Sequence, residues 1–249
     1  MIKLQNISKT FSPGTANAVK ALQRIDLNIA DKEFLVLVGS NGSGKSSLLN
    51  AIAGSFVLDE GKIFLDGTDV TSMKDYERSN FISRIFQNPL AGTAPDLSVL
   101  ENFRLAALRT QSKKLHKGIN NKFKNAVAEK VSILKLNLEN KLEQKMGTLS
   151  GGQRQALTLI MSVMADAKII LLDEPTAALD PRSSEILMQN AQRVINEFAL
   201  TAIMVTHNLK DAFQYGNRII QMSEGIIIKD LNSEQKSKLS LLDLFGWFE

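Results

Sequence analysis

No cysteine occurs anywhere in this 249-residue chain, so no disulfide framework exists and a reducing compartment is compatible with it. The N-terminus, Met1-Ile2-Lys3-Leu4-Gln5-Asn6, lacks the apolar core of a signal peptide. No apolar run is long enough to span a bilayer. The most apolar stretch, Ala156 to Leu172, is short and is broken by Asp166 and Lys168. Any membrane role is therefore expected to come through a partner. Internal repeats and low-complexity tracts are also absent. The charge is far from one-sided: 30 basic against 26 acidic residues give a net +4, which permits an anionic partner such as a nucleotide or lipid headgroups without demanding nucleic acid.

What is present is ordinary in bulk and specific in detail. Hydrophobic residues make up 44% and charged residues 22%, as in a globular protein long enough for one large α/β domain or a core carrying a smaller lobe. Gly39-Ser40-Asn41-Gly42-Ser43-Gly44-Lys45-Ser46-Ser47 matches G-x-x-x-x-G-K-[ST], the nucleotide-phosphate loop. Phe34 to Val38 before it reads as a buried strand, and Ser47 to Ala53 after it as an apolar-faced helix ending near Gly54. Glycines let successive N–H groups turn toward phosphate oxygens, and the helix start adds its own unpaired donors. Lys45 supplies a cation for the β- and γ-phosphates, and the Ser46 hydroxyl suits magnesium. The pattern predicts a nucleoside-triphosphate site.

Along the rest of the chain, Ile2 to Ile7 reads as a strand and Leu22 to Ile29 as a strictly alternating one. Asp66-Gly67 between apolar runs signals a hairpin, so the first third predicts a small antiparallel sheet beside the nucleotide core. The stretch 89–95 reads as loop. From Val99 to about Lys145 the pattern turns helical, with a basic stretch, 109–124, expected to be a solvated helix face, the alternative being contact with a partner or a membrane surface. Apolar strands at Lys168 to Leu172 and Leu200 to Thr206, separated by a helical pattern from Ser183 to Phe198, imply a parallel sheet covered on both faces. A last hairpin is expected around Ser223-Glu224. The apolar C-terminal run, Leu241 to Phe248, is expected to pack rather than to hang free.

Asp173 follows an apolar strand, where ligands sit in open α/β sheets, and suits a magnesium-directed acid paired with Ser46; Glu174 could polarise an attacking water. Leu149-Ser150-Gly151-Gly152-Gln153 opens another helical run and so forms a second phosphate-binding helix start. One chain holds one γ-phosphate. A second anion site hints at a head-to-tail pair in which each chain completes the other's site.

Gly39 to Ser46, Gln87, Leu149 to Gln153, Asp173-Glu174, Ala178-Leu179-Asp180 and His207, in that order, resemble the ATP-binding-cassette ATPases over nearly the whole chain. The resemblance implies a P-loop α/β fold forming one domain over 1–249. Residues 1–88 and 165–249 would form a mainly parallel core with an N-terminal antiparallel β subdomain, and 89–164 an inserted helical subdomain. It implies two ATP molecules between two such domains, with Ser150, Gly151 and Gly152 of one facing the γ-phosphate held by Lys45 of the other. Gln87 would sense magnesium and relay to a membrane partner, and Asp180 would bridge the subunits. Glu174 would be the general base, and His207 would hold γ-phosphate and water in line. Phe11 falls where the family places an aromatic to stack on adenine.

The family includes importers, exporters and soluble factors acting on DNA or ribosomes. Soluble members usually fuse two cassettes or carry long insertions, and neither is seen. Glu143 to Thr148 does not resemble the glutamate-and-glycine-rich stretch of exporters, and little sequence follows His207, so the regulatory domain of sugar-type importers is expected to be absent. Gln87 to Pro95 and Leu149 to Leu159 look like a bacterial subgroup described as tryptophan/tyrosine transport-system ATPases. The expected partners are a second copy, integral membrane permease subunits and, indirectly, a solute-binding protein, on the cytoplasmic face of the inner membrane and without nucleic acid. The alternatives are a soluble cassette ATPase acting on nucleic acid or ribosomes, an exporter ATPase, and a nucleotide-binding module without hydrolysis.

Overall fold

The computed structural model describes residues 1–88, 91–109, 118–164 and 167–248. Pro89 and Leu90 of the expected loop, 110–117 of the basic stretch, and Asp166 lie outside the described residues. The chain forms two compact units. One is Met1–Ser79 together with the segment from Thr201 onward, and the other is Asn80–Leu200.

The first unit opens with β1 (Ile2–Phe11) and β2 (Val19–Ile29), then β3 (Phe34–Val38), α1 (Lys45–Ala53), β4 (Glu60–Leu65), β5 (Thr68–Asp69) and a short α2 (Asp75–Arg78). The second unit contains β6 (Ile82–Ile85), α3 (Val99–Ala107), α4 (Asn121–Ser132), α5 (Gly151–Met164), β7 (Ile169–Asp173) and α6 (Pro181–Glu197). The first unit then resumes with β8 (Thr201–Val205), α7 (Leu209–Gln214), β9 (Arg218–Ser223), β10 (Ile226–Leu231), α8 (Ser233–Ser237) and α9 (Leu241–Phe245).

Two sheets organise the first unit. An antiparallel sheet runs β2-β1-β4-β5, with Ile2 opposite Ile29 and Leu4 opposite Leu27. The strict alternation expected over Leu22 to Ile29 is broken. Leu22 and Ile25, three apart, are both buried, because Arg24 takes a left-handed conformation (φ 48°) and the register slips between Ile7 and Lys9. The bulge adds one residue to β2 and returns its apolar face to the core. In the other sheet, β3 lies between β8 and β9, parallel to both, with Leu37 opposite Val205 and Ile220. Every residue of β3 and β8 is buried, the signature of a parallel sheet covered on both faces. The α1 carbonyls of Ala51 and Ile52 accept hydrogen bonds from the Arg78 guanidinium, which also donates to Thr71 and Met73 and is 1% exposed. A cation there suits the negative end of the helix.

In the second unit β6 and β7 pair in parallel, Ile85 opposite Leu172. Helix α5 is the internal element of this unit, buried from Gln155 to Met164. The Ser98–Glu101 capping box starts α3, and Asp180 followed by Pro181 starts α6. No helix among the described residues is long and apolar enough to cross a membrane.

Candidate functional site

The phosphate loop leaves the C-terminal end of β3 and turns directly into α1. Gly44 caps α1 at φ 102°, and a Cβ there would come within 2.6 Å of the Ala21 carbonyl oxygen. No side chain caps this helix, so its first N–H groups and positive dipole end are left for an anion. Gly42, at φ 79°, faces open space. Ser40, Asn41, Gly42 and Ser46 are exposed, Ser47 is half-buried, and Gly39 and Ser43 are buried. Lys45 is buried, and its Nζ donates to the Gly39 and Ser40 carbonyls, both at 2.9 Å, and to Ser43 Oγ at 3.4 Å. Behind the loop, the β9–β10 turn closes in: Gly225 N–H donates to the Ser43 carbonyl, and the Gly225 carbonyl accepts from Gln23 N–H.

His207 lies two residues beyond Val205, as Gly39 lies two beyond Leu37, so the parallel register brings the histidine to the sheet edge that carries the loop. The ring is exposed. Its neighbours fix the backbone: Thr206 N–H donates to the Leu37 carbonyl, and Asn208 caps α7. Phe11 ends β1, 38% exposed, with its ring edge-on to Phe56 at 5.2 Å. Lys9 Nζ lies 5.8 Å from both ring centroids and is bonded to Asp59 at 2.8 Å. The Lys9 hydrogen bond, followed by the Thr10 N–H, holds the Asp59 carboxyl below the usual range.

In the second unit the same register logic applies. Gln87 and Glu174 each lie two residues beyond the Ile85–Leu172 pair, so both emerge at one edge, with Asp173 ending β7 just before Glu174. Gln87 is exposed, while Asp173 and Glu174 are half-buried. Glu174 adopts φ 46°, which L-residues seldom do, and its carbonyl accepts from Ala177 N–H to close the following turn. Asp173 Oδ2 accepts from Arg84 on the neighbouring strand at 2.5 Å. Ser150 and Gln153 form a reciprocal cap at the start of α5, each side chain accepting from the other's backbone N–H, with Gly151 and Gly152 in the first turn. Asp180 caps α6 through the Ser183 N–H; hydrogen bonding from Ser183 keeps its carboxyl below the usual range.

The three expected metal donors, Ser46, Gln87 and Asp173, all present oxygen. That suits a hard cation such as magnesium, which takes few protein ligands and completes its shell with phosphate oxygens and water. Sequence reasoning missed Phe56, Arg78, Arg84 and Gln155. Gln155, 1% exposed on α5, donates to the Phe86 carbonyl just before Gln87. Of these only Arg84 left a signal, as the one charged residue in the strand run Ile82 to Phe86.

A family model described as "ABC transporter" matches residues 22–177. The chain is 39% identical over 249 residues to the tyrosine transport ATP-binding protein of Clostridioides difficile (strain R20291), covering 100% of this chain and 99% of that protein. It is 32% identical over 253 residues to the phosphonates import ATP-binding protein PhnC 2 of Oceanobacillus iheyensis, covering 99% and 96%. Among solved structures, a dimeric ATP-binding cassette in a post-hydrolysis state, bound to ADP and phosphate, superposes with a TM-score of 0.78. It is 30% identical and covers 94% of this chain and 99% of its own.

Proposed function

Since the chain belongs to the ABC transporter family and is a transporter ATPase subunit, we propose that it powers a bacterial importer of amino acids or a similar small solute. The observation that carries this reading is the full-length relative at 39% identity, named for tyrosine transport. The phosphonate-import relative supports the import direction.

In this reading ATP binds at the phosphate loop. Lys45 exchanges its carbonyl partners for β- and γ-phosphate oxygens, and the loop and α1 N–H groups take the remaining charge. Phe11 stacks on the adenine. Magnesium, when bound, neutralises charge on the phosphates, and Ser46, Gln87 and Asp173 are the residues that would hold it. A second copy of the chain brings Ser150, Gly151, Gly152 and Gln153 to the γ-phosphate, with Asp180 at the seam between copies. The dimeric relative with ADP and phosphate supports that pairing. Glu174 accepts the proton of the attacking water, and His207 holds that water in line with the γ-phosphate. Gln87 passes the nucleotide state to permease subunits at the cytoplasmic face of the inner membrane.

Recovery of the tagged chain from detergent-solubilised membranes tests this reading. Permease subunits should accompany it, and deleting its gene should abolish uptake of labelled tyrosine or tryptophan. Recovery with ribosomes or nucleic acid instead would overturn it.

A further inference from the structure

Arg84 sits opposite Leu171 in the β6–β7 register, so its side chain shares a face with Asp173, two residues further along β7. The two side chains are joined by a hydrogen-bonded ion pair and are only 17% and 18% exposed. On the other side, the guanidinium carbon lies 4.9 Å from the centre of the Phe86 ring. A planar guanidinium can stack on that ring and bond a carboxylate at once.

A half-buried carboxylate needs a counter-charge. Arg84 supplies it. A metal ion approaching the same carboxylate meets a cation already in place, and the two repel across a partly dry site where Coulomb interactions are weakly screened. We propose that Arg84 is a positioning residue, the resident counter-ion of Asp173, and that it sets how much magnesium nucleotide binding requires. This rests on the reading of Asp173 as the metal-directed acid. By holding Asp173 Oδ2, Arg84 would fix the carboxylate's orientation.

The test is an equilibrium titration of a fluorescent ATP analogue with the full chain, in EDTA and across a magnesium series, for wild type, Arg84→Gln, Arg84→Lys and Asp173→Asn. Arg84→Gln should bind the analogue in EDTA about as well as wild type. Its half-saturating magnesium concentration should fall by about threefold to tenfold. Arg84→Lys, which keeps the charge, should stay near wild type. Should Arg84→Gln fail to fold, Arg84→Met carries the same expectation, because its apolar stem still packs on Phe86. An unchanged or raised magnesium requirement in the neutral variant overturns the proposal. Asp173→Asn separates the two layers of the argument. If it keeps the full magnesium response, Asp173 is no metal acid and the proposal falls with that reading. If Asp173→Asn loses the response while Arg84→Gln matches wild type, only the role of Arg84 is overturned.

Discussion

Lys45 donates to the carbonyl oxygen of Gly39 at 2.9 Å, so the one buried cation of the phosphate loop is turned back onto the loop itself. In the proposed function this bond is exchanged for phosphate when nucleotide arrives. Charge-assisted hydrogen bonds of this kind are worth about 1.5–3 kcal/mol, so Lys45→Met should weaken ATP binding by roughly 10–100-fold. Titration calorimetry measures this; an affinity within threefold of wild type would remove Lys45 from the phosphate site.

Two glycines separate folding from binding. An alanine at Gly44 needs φ 102° and drives its Cβ to 2.6 Å from the Ala21 carbonyl oxygen, so Gly44→Ala should cost about 1–3 kcal/mol of stability and ATP binding as well. Gly42→Ala meets no atom within 4 Å and carries only the left-handed strain of about 1–2 kcal/mol. Its methyl group meets no protein atom, so, on the proposed reading of the loop as the phosphate site, nucleotide affinity should suffer more than melting temperature. Equal effects of the two variants on both measurements would contradict this assignment of the open side.

Glu174→Gln keeps the side-chain shape and removes the proposed proton acceptor. The variant should bind ATP and pair with its copy while turnover falls by about 10²–10³-fold, as when one positioned catalytic interaction is lost. Steady-state phosphate release decides it, and normal turnover would assign the base elsewhere.

Arg78 is 1% exposed and donates to four carbonyls, two of them at the end of α1. Arg78→Met removes all of these bonds; the Ala51 carbonyl keeps the Gly54 N–H, and each carbonyl left with neither partner nor water costs about 1–3 kcal/mol. A loss of about 3 kcal/mol or more in urea unfolding is expected, and Arg78→Lys should recover only part of it because one ammonium cannot span all four acceptors. Full recovery by lysine would point to charge alone.

Lys236 on α8 is 7% exposed and donates to the Tyr215 and Gly216 carbonyls, and burial pushes its pKa from the ordinary 10.5 down to about 8. Between those two values the unfolded chain binds more protons than the folded one, so unfolding free energy rises with pH in that window. The advantage of wild type over Lys236→Met should therefore grow from pH 7 to pH 9.5. Urea melts at several pH values measure the difference, and a flat profile would mean that the lysine keeps its proton when folded.

The strand-loop-helix order at 34–53 is legible because five apolar residues, a glycine-rich turn and an apolar helix face are all local signals. The β9–β10 hairpin is legible for the same reason, although its two turn residues are Glu224 and Gly225 rather than the pair centred on Ser223-Glu224. The bulge at Arg24 was hidden, since counting by twos presumes an unbroken pleat. The roles of Arg78, Arg84 and Gln155 were hidden, even though Arg84 stands out as a cation in its strand, because each acts through a partner far along the chain: Ala51, Asp173 and Phe86. Local pattern names the residues proposed to meet the ligand. It does not name those that brace them.

The position of β3 between β8 and β9 has a consequence for synthesis. Its partners begin at Ala202 and Arg218, so a strand made near the start of translation waits for almost the entire remaining chain. At about 5–20 residues per second that delay is roughly 10–30 s. Meanwhile β1, β2 and β4 can pair among themselves, while the wholly apolar Phe34–Val38 stands with both hydrogen-bonding edges open. The phosphate loop at its end is thus among the last parts to be locked in place. A nascent chain stalled before Thr201 would present that strand to chaperones or to neighbouring chains.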